Sequence, residues 1–151
     1  MAQKKTVHIP EGSNPLLEKY INCIMKRGKK SVARRIFHDA MQLLIEKGHT
    51  HPEKIFEKAI DQIKPQLEVK AKRIGGAVYQ IPMEVKPARQ VTLAFRWILE
   101  GTRSKRNAPM AKKLADELLQ ALNNEGIAIK KRDDMQKMAQ ANKAFAHYAK
   151  Y

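Results

Sequence analysis

Apolar residues recur at helical spacing along most of this chain, and the pattern lapses once, between Lys64 and Val85. Behind the Asn14-Pro15 pair, a cap followed by a first-turn proline, Leu16, Leu17, Tyr20, Ile21, Ile24 and Met25 mark one helix face that Gly28 stops. Ser31 can cap a second helix, with the stripe Val32, Ile36, Phe37, Ala40, Leu43 and Leu44 ending at Gly48. Thr50 and Pro52 start a third, whose buried face is Ile55, Phe56, Ala59, Ile60 and Ile63, stopped before Pro65. Pro87 opens a fourth, with Val91, Ala94, Phe95, Ile98, Leu99 and Thr102 on one face and Trp97 among them in the core. Asn107 and Pro109 restart a fifth, with Met110, Leu114, Ala115, Leu118, Leu119 and Leu122 inward, closed by Asn123, Asn124 and Gly126. Ile127 to Ile129 crosses to a last helix with Asp133-Asp134 in its first turn. Its stripe of Met135, Met138, Ala139, Asn142 and Phe145 is thin, so its far end is predicted to project.

Within the lapse, Gly75-Gly76 separates two β-permissive arms, Val69 to Ile74 and Ala77 to Val85, as in a two-residue hairpin. That turn sets the register: Lys72 faces Tyr79, Lys70 faces Ile81, Arg73 faces Val78 and Ala71 faces Gln80. Neither face is wholly apolar, and a lone two-stranded ribbon is marginal unless something covers it. With Lys70, Lys72, Arg73, Lys86 and Arg89 around Tyr79, it reads as an arm built to lie against a polyanion. The predicted fold is mainly all-α: a six-helix domain with one projecting β-hairpin, at about 68–86, between the third and fourth helices. Residues 1–13 read as a loose N-terminal arm and residues 14–151 as a single helical domain.

Charge sharpens the picture. The 151 residues carry 30 Lys+Arg against 15 Asp+Glu, a formal +15, an excess that repels itself and attracts phosphate. The cations recur along the whole chain, and Lys26, Arg27, Lys29 and Lys30 crowd one helix end beyond what capping needs. A basic membrane-surface protein would want a strongly amphipathic Lys/Arg helix or a lipidation signal, and neither is present; no apolar run is long enough to span a bilayer. Cys23, the single cysteine, forms no intramolecular disulfide and reads as a small buried thiol.

Catalytic and metal chemistry find no footing. Gly28-Lys29-Lys30-Ser31 lacks the earlier glycine of a P-loop, since position 23 is Cys23, and a helix rather than a strand precedes it. His49 and His51 have no ligand cluster at metal spacing. Asp133 and Asp134 are adjacent on a helix and do not face each other, and no histidine lies near Cys23 to activate it. The chain reads as a non-enzyme without a cofactor. Nucleic acid is the partner that the charge favours, with Tyr79 and Tyr148 as stacking candidates and structured RNA preferred over DNA.

Four segments carry a resemblance: GKKSVA at Gly28–Ala33, PEKIFEKAIDQIKP at Pro52–Pro65, EVKAKRIGGAVYQIPMEVKPARQVTLAFRWIL at Glu68–Leu99, and AKKLADELLQALNNEGIAIKKRDDMQKMAQANKAFAHY at Ala111–Tyr148. In that order, over Leu16 to Tyr148, the chain closely resembles the ribosomal protein seven family of the bacterial-type small subunit. The resemblance implies a primary binder of small-subunit rRNA that helps nucleate folding of the subunit head, on a cytoplasmic or organellar ribosome. It implies rRNA contacts at Lys26, Arg27, Lys29, Lys30, Arg34, Lys72, Arg73, Lys86 and Arg89, and more weakly at Lys112, Lys113, Lys130, Lys131, Arg132 and Lys143. Gly75, Gly76, Ala77, Tyr79, His147 and Tyr148 would face the exit-site tRNA and the mRNA path. Further implied partners are small-subunit protein eleven, other head proteins and, in some bacteria, the message of its own operon. One departure stands out: bacterial members usually begin with an Arg/Lys-rich arm, whereas AQKKTVHIPEGSNP offers only Lys4 and Lys5.

Overall fold

A computed structural model describes residues 14–150, so the reading of residues 1–13 as an arm lies outside the described residues. Helix α1 (Pro15–Ile24) starts where the sequence predicts, with the Asn14 side chain accepting from the Leu16 N–H at 2.9 Å and Pro15 in the first turn. It ends four residues before Gly28. Met25 turns extended, and Arg27 and Gly28 follow at φ 53° and 73°, so the cations expected on a helix end occupy a left-handed turn. Helix α2 (Lys30–Glu46) begins one residue before Ser31, which is already helical and caps nothing. Its buried side is Ala33, Phe37, Ala40, Met41 and Leu44; Val32, expected inward, is 37% exposed. Helix α3 (Pro52–Ile63) buries the five predicted residues.

Strands β1 (Leu67–Ile74) and β2 (Ala77–Glu84) pair antiparallel in the predicted register, with Lys72 opposite Tyr79 and Arg73 opposite Val78. Gly75 and Gly76 take φ 57° and 87°, the left-handed values that a two-residue turn of this twist demands. Helices α4 (Pro87–Ser104) and α5 (Met110–Leu122) follow, with Trp97 in the core as predicted. Helix α6 (Ile127–Ala141) begins directly after Gly126, φ 95°, well before Asp133-Asp134, which therefore sit past its first turn. Its buried residues are Ala128, Ile129 and Ala139, whereas Met138 is 47% exposed. A 3₁₀ helix (Lys143–Lys150) ends the described chain.

Four of the six α-helices, α1 to α4, each bring one ring to an aromatic centre. Tyr20 is fully buried, with ring centroids 4.9 Å from Phe56, 5.0 Å from Phe95 and 6.0 Å from Phe37, offset and edge-on geometries that rings prefer. Helix α5 packs against α2, α3, α4 and α6 and so carries the middle of the core. Within it Glu117 is fully buried. One of its oxygens accepts from the Ala128 N–H at 3.0 Å, capping α6 from outside that helix, and the other meets the Lys105 ammonium at 2.6 Å. Gly101 of α4 makes room for this carboxylate: a Cβ there would stand 2.7 Å from Glu117 Oε1. Cys23, expected to be buried, lies on the exposed side of α1 because the helix turns Tyr20, Ile21 and Ile24 inward instead.

The end of the chain departs from expectation. Rather than projecting or joining the main core, the 3₁₀ helix folds onto β2. Phe145 and Tyr148 lie 5.3 and 5.4 Å from the Tyr79 ring, forming a second, smaller aromatic cluster that covers the hairpin together with α6. The ribbon, marginal alone, gains its missing face this way.

Candidate nucleic-acid interface

The turn after α1 gathers the densest charge. Lys26, Arg27 and Lys29 are exposed and make no side-chain hydrogen bond or ion pair among the described residues. Lys30 and Arg34, predicted to act with them, lean back onto Glu18. The Lys30 ammonium lies 3.1 Å and the Arg34 guanidinium 3.2 Å from its carboxylate, which is 2% exposed. Burial pushes the Glu18 carboxyl upward, but hydrogen bonds and charge from Arg34 and Lys30 outweigh it and hold the group below its usual 4.5.

The hairpin carries Arg73 exposed and Lys72 half-buried, with Lys86 exposed at the cap of α4. Arg89 donates to Glu68 at 2.7 and 3.4 Å; this hydrogen bond depresses the Glu68 carboxyl and raises Arg89. Gly75, Gly76 and Ala77 form an open tip. Tyr79 is not a free stacking surface, because Phe145 and Tyr148 lie against it. His147 is exposed, its ring centroid 3.9 Å from that of Tyr148 and its Nδ1 2.9 Å from the Ala144 carbonyl. The six residues expected to face the exit site thus belong to two segments, the hairpin and the 3₁₀ helix, that touch each other.

The remaining candidates divide. Lys112, Lys130 and Lys143 are exposed and unpaired among the described residues. Lys113 donates to the Lys105 carbonyl at 3.0 Å, and Lys131 is ion-paired to Glu100. Arg132 bridges the Gln62 carbonyl at 2.6 Å and Asp133 at 2.7 Å, tying α6 to α3. These three cations hold the fold as much as they face outward. The rRNA contacts expected from the sequence do not include Lys19, Arg96 or Arg103. Arg96 and Arg103 line, with Cys23 and Thr92, a cleft between α1 and α4, and the charge of Lys19 acts on the same thiol. The signal was present: Lys19 and Cys23 step at four, and Arg96 and Arg103 at seven, spacings that share a helix face.

Exposed cations on three separate regions, with Glu18 and Glu117 buried against Lys and Arg, make a surface whose charge suits a polyanion. Among the described residues no three His, Cys, Asp or Glu side chains group as metal ligands, and no helix is long and apolar enough to cross a membrane. The family description "Ribosomal protein S7p/S5e" matches residues 1–143. The small ribosomal subunit protein uS7 of Solidesulfovibrio magneticus is 49% identical over 148 residues, 98% of this chain and 95% of that protein. That of Nitratidesulfovibrio vulgaris is 51% identical over 139 residues, 92% of this chain and 89% of its own length. The uS7 of Marinobacter nauticus is 46% identical over 147 residues, 97% and 94% of the two chains. On this sequence likeness, end to end and at about half identity, the chain belongs to the ribosomal protein S7p/S5e family.

Proposed function

We propose that this chain, a structural and non-enzymatic member of its family, binds small-subunit rRNA directly and nucleates folding of the subunit head. The observation that carries the reading is the set of exposed cations that are unpaired among the described residues: Lys26, Arg27 and Lys29 in the turn after α1, Arg73 and Lys86 on the hairpin and its base, and Lys112 and Lys130 on α5 and α6. Fixed on helix ends and turns around a shared core, they sit on a rigid frame, which lets one protein bridge rRNA helices that meet at it. Lys72 and Lys143 extend that surface. Lys30, Arg34, Arg89, Lys113, Lys131 and Arg132 support it from their internal ion pairs and hydrogen bonds.

The hairpin tip at Gly75–Ala77, with His147 and Tyr148, serves as the face toward the exit-site tRNA and the mRNA path. Contacts with small-subunit protein eleven and with its own operon message belong to the same reading, as do a single domain over residues 14–151 and a cytoplasmic ribosome as its place.

Sedimentation of a lysate through sucrose gradients at low and high salt tests it. The chain is expected to stay with small subunits through a high-salt wash, as an assembly-level rRNA component does. Release to the top of the gradient at moderate salt would overturn the assembly role.

A further inference from the structure

Val32 breaks the amphipathic logic of α2, since an aliphatic side chain at a helix start is left 37% exposed while Ala33 beside it is buried. It is not an isolated surface residue. With Met25, Ile36 and Met110, all only partly buried, it floors a cleft of about 280 Å³ where the end of α1, the start of α2 and the start of α5 meet. Three cations rim this cleft, Lys26, Lys29 and Arg103, and no acidic residue lines it. Arg103 is held at the mouth by its guanidinium, which donates to the Ile24 carbonyl at 3.4 Å; Lys26 and Lys29 are unpaired among the described residues.

We propose that this cleft takes a single unstacked RNA base, its face on the apolar floor and its flanking phosphates on Lys26, Lys29 and Arg103. The inference rests on the reading of the chain as an rRNA binder and adds to it a base-contacting site. Water is a poor occupant, because an ordered water needs two to four polar partners and this floor offers almost none. The cationic rim favours a polyanion over the apolar face of a partner helix, and the volume lies near the lower end of small-molecule sites, roughly 300–1,000 Å³. A base matches both halves of the chemistry. Its π-face suits aliphatic and thioether groups, of which Met25 and Met110 are the polarisable pair, and the phosphates on either side of it suit the cationic rim. The same arrangement explains why an aliphatic side chain stands 37% exposed at position 32.

The test uses the full chain bound to a transcript of the small-subunit head rRNA. A photoreactive diazirine side chain at position 32 is expected to crosslink to the base of one nucleotide. An abasic site at that nucleotide, and separately the uncharged Val32→Asn in the protein, should each weaken binding by about tenfold, the effect of taking one base off its apolar floor. Combined, they should weaken it little more than either alone, because both remove the same contact. Crosslinks confined to ribose and phosphate, an abasic transcript that binds normally, or full additivity would each overturn the base site and leave rRNA binding standing. In assembled subunits, a crosslink from position 32 to a neighbouring protein in place of rRNA would overturn it equally. Failure of the unmodified chain to bind the transcript at all would instead strike the proposed function. Val32→Thr, nearly isosteric and uncharged, is the control for folding and should keep most of the affinity.

Discussion

Glu18 is 2% exposed between Lys30 and Arg34, and its position reverses what a charged residue on a helix normally does. Its carboxyl is held below 4.5 in the folded chain, so it contributes stability that is present above the unfolded value and lost as pH falls through the depressed folded one. Glu18→Gln should remove that component. The variant is expected to be less stable at neutral pH by about 1–2 kcal/mol, less than for a wholly buried pair because both cations are partly in water. As pH falls below 4.5 the gap should begin to narrow, and it should close once pH has passed the depressed folded value, as urea melts at several pH values would reveal; a gap that stays constant down to acid would mean that Glu18 carries no ionic contribution. Nothing in the local pattern announces this residue. Helical periodicity assigns charged positions outward, and Glu18 and Glu117 are inward only because a partner helix brings a cation or an orphan N–H to meet them. Cys23 fails in the opposite sense: a small sulfur among apolar neighbours looks buried, and one step of helical rotation puts it outside.

Elements were easier to read than their ends. The hairpin register follows from Gly75-Gly76 alone, because a two-residue turn leaves no freedom in pairing. Prolines at 15, 52 and 87 mark three helix starts in the structure as in the sequence. The end of α1 and the start of α6 were misplaced because apolar residues at Met25 and Ile127–Ile129 fit more than one local state, and the backbone at Arg27 and Gly126 decided between them. The cover of the hairpin was not legible at all, since it depends on Tyr79 meeting Phe145 and Tyr148 across more than sixty residues of sequence. That contact makes Tyr79 a positioning residue for the chain's last segment. Tyr79→Ala should speed amide exchange in residues 143–148 and in β2, while the main core, centred on Tyr20, keeps its melting behaviour; each lost ring pair is worth about 0.5–1.5 kcal/mol. Unchanged exchange in the 3₁₀ helix would show that the aromatic cluster does not hold it.

On the scale of the whole molecule, the formal +15 is not spread evenly over the cations. Glu18, Glu68, Glu100, Asp116, Glu117 and Asp133 each sit against a Lys or Arg, so those acids neutralise charge inside the chain and leave the surplus to residues without partners. Composition alone gives the size of the surplus, and the ion pairs give its address. The distinction is measurable because each phosphate contact releases counterions. Replacing Lys26, Arg27 and Lys29 together with Gln should weaken rRNA binding and flatten the plot of log affinity against log salt by roughly 0.7–0.9 per contact, about 2–3 in all. Replacing Lys30 and Arg34 with Gln should change the slope less and the stability more, because those cations spend their charge on Glu18. Equal slope changes per residue in the two variants would mean that Glu18 releases its partners when RNA arrives. A larger slope change from Lys30 and Arg34 would place the phosphate contact at the start of α2 rather than in the left-handed turn before it.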